Sequence, residues 1–169
     1  MSKTKYPLDK VYRLLGSGPT VLISSSLNGK PNVMTIAWTI PLDFDPPLIG
    51  CCIGDQNYTF RIVKKTKEFV INIPGAKLAK KVVACGSVSG RKIDKFKKVG
   101  LTPVPASKVK APLVQECFAN LECKVVDARM AGQYNLFIVK VVAAWLDKGA
   151  EKTPTLHHVT GHRFKIGRE

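Results

Sequence analysis

Several groups of residues in this chain have the types and spacing that chemistry needs. The segment Gly54-Asp55-Gln56-Asn57-Tyr58-Thr59 sets Asn57 where an N-cap would precede a helix. Such a helix tip offers unpaired N–H groups and partial positive charge, which suit a phosphate, and the Thr59 hydroxyl falls in the same first turn. Between residues 77 and 110 lie Lys77, Lys80, Lys81, Arg91, Lys92, Lys95, Lys97, Lys98, Lys108 and Lys110 against one acid, Asp94. That stretch reads either as a solvated face or as an electrostatic funnel for phosphate-bearing partners, fed by the small-residue loop Ser87-Val88-Ser89-Gly90-Arg91. The strand Val33 to Ile40 puts Met34, Ile36, Trp38 and Ile40 on one face and the slim Val33, Thr35, Ala37 and Thr39 on the other. Ordinary strand packing accounts for this pattern, and a slim face also lets a helix or a planar ligand approach the backbone.

Other chemistries find less support. His157, His158 and His162 lack a Cys or carboxylate partner at ligand spacing, so no metal site is expected. No G-x-S-x-G, Walker loop or G-x-G-x-x-G occurs. Phe96 is the one aromatic in the basic stretch, which is poor for stacking single-stranded nucleic acid. The five cysteines, Cys51, Cys52, Cys85, Cys117 and Cys123, form an odd set without a C-x-x-C pair and read as reduced thiols that fill core.

The elements that must hold these residues follow from periodicity and breakers. The 169 residues suggest one domain spanning 1–169. At 45% hydrophobic and 23% charged, the composition is globular, and the formal net charge of +15 favours anionic partners. No apolar run reaches the ~18 residues of a membrane span. The first residues carry no apolar signal core, so a cytoplasmic protein away from membranes is expected. The pattern predicts a helix over Leu8–Leu15, a strand over Thr20–Ser26, an Asn28-Gly29 hairpin turn, a strand over Asn32–Ile40, a loop over Pro41–Pro47 and a strand over Leu48–Ile53. A helix over Tyr58–Thr66, a strand over Glu68–Ile73, a helix over Ala76–Cys85 and a short helix over Ile93–Val99 follow. After the Pro-punctuated stretch 103–112 come two long strands. In the first, Cys117, Ala119, Leu121, Cys123 and Val125 alternate with Phe118, Asn120, Glu122 and Lys124, as in a half-buried strand. The second, Tyr134–Leu146, has few polar residues and reads as covered on both faces. About six strands with three or four short helices favour a mainly β, antiparallel sheet, which closure into a barrel would relieve of exposed edges. Regular β-α alternation is missing, which disfavours a doubly wound fold.

Taken in order, six pieces run in register: Asn32-Val-Met34-Thr35-Ile-Ala-Trp38, Pro46-Pro47-Leu-Ile-Gly, Asn57-Tyr58-Thr59, Glu68-Phe69-Val-Ile-Asn72, Cys85-Gly86-x-x-Ser89-Gly90 with Asp94-Lys95-Phe96, and Leu136-Phe137-Ile-Val. This succession resembles the flavin reductase-like family, its flavoredoxin members in particular, from about residue 16 to the end. The resemblance implies a closed, six-stranded Greek-key split barrel that binds FMN, usually as a homodimer with the flavin near the interface. It places Asn32, Met34, Thr35 and Trp38 along the isoalloxazine and ribityl chain, with Cys51 and Cys52 on the strand beside them. Asn57, Tyr58, Thr59 and Lys95 would hold the phosphate, and Phe164 would pack by the ring. Family members often carry His two residues before the Leu-Phe pair, where this chain has Tyr134. The implied function is an FMN-dependent oxidoreductase or electron carrier, taking electrons from NAD(P)H or a protein donor and passing them to flavin, iron or a protein acceptor. No side chain is required as acid or base for hydride arrival at the flavin, so no catalytic residue is assigned. Two alternatives stand beside it: a basic module binding nucleic acid or an acidic protein without redox turnover, and a flavin storage or sensing protein. An acidic redox protein is a further possible partner of the lysine stretch.

Overall fold

The computed structural model describes residues 18–150 and 152–167; the helix expected at 8–15 lies outside them. Strand β1 (Val21–Leu27) turns through Asn28 and Gly29 into β2 (Lys30–Ile36). Both turn residues hold positive φ, 51° and 76°, the conformation for which Asn-Gly is suited. β3 (Thr39–Phe44), β4 (Pro47–Cys52), α1 (Tyr58–Thr66) and β5 (Glu68–Ile73) follow. A 3-10 turn at Ala76–Leu78 leads into α2 (Ala79–Gly86), and α3 is Lys95–Val99. The rest comprises β6 (Pro103–Val104), β7 (Leu113–Val114), β8 (Ala119–Asp127), α4 (Ala131–Tyr134), β9 (Leu136–Leu146), β10 (Thr155–Thr160) and β11 (Arg163–Gly167).

The main sheet is antiparallel with seven strands in the order β2-β1-β5-β8-β9-β4-β3. Its two edges, β2 and β3, are consecutive in sequence and joined by Ala37 and Trp38 alone. The sheet is therefore a split barrel with seven strands, not the closed six expected: no ladder joins β2 to β3. A further correction explains the extra strand. The segment 41–47, read as loop from its prolines and aspartates, is mostly β3, paired with β4 from Thr39↔Cys51 to Phe44↔Pro47. Pro41 is tolerated there because an edge strand has a free side.

The main core packs Val21, Ile23, Ile36, Cys51, Phe60, Phe69, Cys123, Phe137 and Val139 inside the curved sheet, closed by α1. The helix buries Thr59, Phe60, Ile62 and Val63 and stops at Lys67, whose φ of 59° cannot continue it. A second core sets α2 and α3 against the opposite face of β1 and β2 through Val82, Cys85, Phe96, Leu22 and Val33. The hairpin of β10 and β11, not anticipated from the sequence, adds Leu156 and Phe164 to this core. It is tied in where Thr20 N donates to Leu156 O at 2.6 Å and Ala76 N to Pro154 O at 2.8 Å.

The alternation in β8 misleads on one point. Asn120 and Glu122, on the face expected to be wet, are buried because residues 103–114 fold over them. Asn120 Nδ2 donates to Asn72 Oδ1 at 2.8 Å, which also accepts from Val114 N at 2.9 Å. The Glu122 carboxylate, 0% exposed, accepts from Ser107 N and Oγ (both 3.0 Å), Lys108 N (2.5 Å) and Trp145 Nε1 (2.8 Å). β9 departs the other way: its end, Trp145 and Leu146, is about half exposed, so it is not covered on both faces.

Burial opposes the charge on Glu122, but the hydrogen bonds it accepts outweigh burial and hold its pKa below the usual carboxylate value. Its contribution to stability is therefore full above the ordinary Glu pKa and is lost as pH falls through the lowered one. Glu122→Ala leaves these four donors unmatched and should cost about 2–4 kcal/mol in urea unfolding at pH 7. Near pH 3 the gap between variant and parent should narrow; a pH-independent gap would show that the carboxylate's charge plays no part.

Candidate functional site

Two neighbouring cavities meet at the C-terminus of α2, where Gly86 and Ser87 line both. The larger, about 410 Å³, lies between the end of β2, α2 and the β10–β11 hairpin; Thr20, Thr35, Ala37, Trp38, His158 and Phe164 are among its walls. The smaller, about 240 Å³, is walled by Asn32 and Met34 of β2, residues 56–59 at the start of α1, the loop 87–90 and Lys95 of α3.

The slim face of β2 is shared between packing and cavity. Val33 is buried in the second core, and Thr35 Oγ1 donates to Val82 O at 2.7 Å, so α2 covers the first part of this face. The strand ends at Ile36, and Ile36, Ala37 and Trp38 line the larger cavity. On the other face, Asn32 Nδ2 donates to Thr59 Oγ1 at 2.8 Å, which ties β2 to the first turn of α1. Asn57 holds the N-cap position, but its side chain makes no capping hydrogen bond.

Polar accounting singles out these cavities. Among the described residues, the buried side-chain oxygen or nitrogen atoms without a hydrogen-bond partner are Thr20 Oγ1 and Asn32 Oδ1. One lines each cavity. Gly90 closes on Asn32 so tightly that a Cβ there would land on Asn32 Oδ1 and lie 3.4 Å from Lys95 Cδ. Lys95 itself is 4% exposed. The ion pairs among the described residues, Lys81 with Glu116 and Arg129 with Asp127, do not include it. Burial pulls its pKa below the ordinary lysine value, opposed by the nearby Cys85. The buried Lys95 ammonium without a carboxylate, the Thr59 hydroxyl and the tip of α1 form a donor set for a ligand with an anionic end, and Asn32 Oδ1 beside them can accept from a hydroxyl of that ligand.

The twelve residues expected at a cofactor are therefore divided. Asn32, Met34, Asn57, Tyr58, Thr59 and Lys95 meet at the smaller cavity, and Thr35, Trp38 and Phe164 at the larger. Cys51, Cys52 and Tyr134 line neither. The Cys51 side chain points into the main core and is 0% exposed, where burial drives its thiol pKa far up. Cys52 reaches the rim through its backbone, donating from N to Trp38 O at 3.0 Å. Tyr134 sits on α4, exposed. Thr20, Gly86, Ser87 and the histidines of the hairpin were missed. Thr20 looks like any strand-edge threonine, and the hairpin's contribution depends on a tertiary contact.

A family model described as flavin reductase like domain matches residues 12–167. The chain belongs to that family. An uncharacterized protein of Archaeoglobus fulgidus is 40% identical over 149 residues, which are 88% of this chain and 76% of the relative. Among solved structures, an FMN-binding domain of a flavin reductases-like enzyme from Shewanella baltica is 30% identical, with a TM-score of 0.84 over 98% of this chain and 94% of that one. Flavoredoxin of Desulfovibrio vulgaris has a TM-score of 0.86 at 24% identity, covering 100% of this chain and 94% of its own, and so shares the fold.

The lone ammonium gives this site a pH signature. The folded Lys95 has a pKa below its unfolded value, so the unfolded chain binds more protons between the two. Stability of the protein without ligand should therefore rise with pH across that interval. Lys95→Met should flatten the rise. Thermal melts from pH 7 to 10.5 check this, and an unchanged slope in Lys95→Met would show that the ammonium is not the group responsible.

Proposed function

We propose that this flavin reductase-like protein binds FMN across the two cavities and works as a flavin-dependent oxidoreductase. The observation that carries the reading is Lys95: a buried cation without a carboxylate, beside the tip of α1 and the orphan Asn32 Oδ1. A phosphate there supplies the missing counter-charge, with Thr59 and the N–H groups of α1's first turn as further donors. The larger cavity, lined by Trp38, Phe164 and the small Ala37, suits a planar ring, and the Thr20 hydroxyl offers it a hydrogen bond. When bound, the flavin supplies two-electron and one-electron redox chemistry.

The chain's own residues bind, orient and shield. Lys95 and Thr59 anchor the tail, which fixes how far the ring reaches along β2. Gly90 lets the loop 87–90 lie close against Asn32. The β10–β11 hairpin covers one side of the ring cavity through Phe164, with His158 edge-on to it at 6.0 Å between ring centroids. The electron donor is NADH, NADPH or a reduced protein; anaerobic titration with each, following the flavin spectrum, separates them.

The proposed assembly is a homodimer. β3 is an edge strand carrying Ile40, Leu42 and Phe44, with Phe44 96% exposed, next to the exposed Trp38 of the ring cavity. A second copy would cover this apolar strip.

The purified protein should be yellow or take up added FMN. Thr59→Ala and Lys95→Ala should each weaken FMN by about tenfold or more while leaving riboflavin within about twofold; equal losses for both ligands would place the phosphate elsewhere. Phe44→Asp with Leu42→Asp should convert a dimer to a monomer in sedimentation; a parent that sediments as a monomer would rule the dimer out.

A further inference from the structure

The lysines on α2, α3, the 3-10 turn before α2 and the loop between the helices outnumber what the phosphate of a single cofactor requires. Lys77, Lys80, Lys92, Lys97 and Lys98 are exposed and make no ion pair among the described residues. The carboxylates near them are already committed. Asp94 caps α3, accepting from Lys97 N at 3.1 Å. Glu116 accepts from Thr102 N and Oγ1 and lies 3.8 Å from Lys81. Lys81 in turn donates to Gly100 O at the end of α3, which holds the two helices side by side. The result is a surface of net positive charge.

Its position matters as much as its charge. The loop joining α2 to α3, residues 87–94, is also a wall of the smaller cavity and meets the larger one at Ser87. Arg91 leans across from this loop to donate to Gln56 O at 3.2 Å. The basic surface thus borders the mouth of the proposed flavin site. From this placement we propose that the α2–α3 face is the docking surface for an acidic protein electron carrier, which exchanges electrons with the flavin at the mouth it borders. The inference rests on the flavin reading above.

Charge complementarity selects this partner. Nucleic acid fits the face less well. Bases need exposed aromatic platforms, and the aromatic on these helices, Phe96, is 2% exposed. The exposed aromatics among the described residues, Trp38, Phe44, Tyr134 and Trp145, lie outside these helices. The lysines Lys108 and Lys110, near in sequence, stand on a different segment, whose backbone is held by Glu122 and Glu68. With a one-electron iron–sulfur carrier as donor, two docking events each release one oxidised carrier and together deliver two electrons, with two protons taken up from water. The reverse direction releases the same electrons and protons.

The test uses the FMN-loaded protein, with loading verified by its absorbance spectrum, and a fluorescently labelled acidic ferredoxin followed by anisotropy. Binding should be measurable at low salt and weaken steeply as salt rises. Lys80→Glu with Lys92→Glu should weaken it by about tenfold, with FMN affinity unchanged. Lys140→Glu with Lys148→Glu, an equal change in net charge elsewhere, should weaken it by no more than about twofold. A loaded protein that does not bind ferredoxin, or equal losses in the two variants, overturns the docking surface and leaves the flavin reading standing. Tighter binding to single-stranded DNA than to ferredoxin at the same ionic strength, lost in Lys80→Glu with Lys92→Glu, also overturns it and makes the face a nucleic-acid surface. A protein that cannot be loaded with FMN sinks the flavin reading itself.

Discussion

A lysine ammonium held out of water without a carboxylate is the constraint around which the site is organised. Desolvating a cation is costly unless an anion or strong acceptors meet it. Here the fold keeps Lys95 in place by making it the first residue of α3, behind the Asp94 cap, with Phe96 packed into the second core. The surroundings supply no counter-charge, and Asn32 alongside keeps an oxygen free. Stability is surrendered locally, and the phosphate of the proposed FMN would restore it by supplying the counter-charge, a common relation between folding and binding sites.

The split in the barrel is the second half of that design. A fully hydrogen-bonded barrel would pair the free edge of the strand that now ends at Ile36. β2 and β3 are opposite edges of one sheet, and the two residues between them, Ala37 and Trp38, belong to neither strand and line the larger cavity. The cores on either side, one inside the sheet and one under α2, α3 and the C-terminal hairpin, hold this gap at fixed width. Binding surfaces set on rigid elements in this way need little reordering when a ligand arrives.

Much of this was legible from residue order. The bounds of α1 and β5 follow from apolar spacing and from Lys67 and Pro74, because local pattern and tertiary packing agree there. Grouping Asn32 with residues 57–59 and Lys95 depended on the resemblance of six motifs, and the structure brings those residues to one cavity. Where reading failed, tertiary context decided. The prolines and aspartates of 41–47 look like a loop, yet an edge strand accommodates them. Asn120 and Glu122 look solvent-facing until residues 103–114 fold over them. Cys51 lies on the right strand but faces inward, a matter of register that period-two alternation cannot settle when both faces carry small apolar residues. The late hairpin alternates weakly and is stabilised chiefly by Leu156 and Phe164 docking on distant elements.

The shared wall at Gly86 and Ser87 has an implication for how such a protein can vary. Both cavities are bounded by the same end of one helix, and a Cβ on Gly86 would come into contact with Thr35 of the larger one. If FMN spans the two as proposed, holding strength and redox tuning become linked traits at Gly86 and Ser87. On the proposed docking, divergence toward a new electron partner is freer at the outer lysines, which line neither cavity.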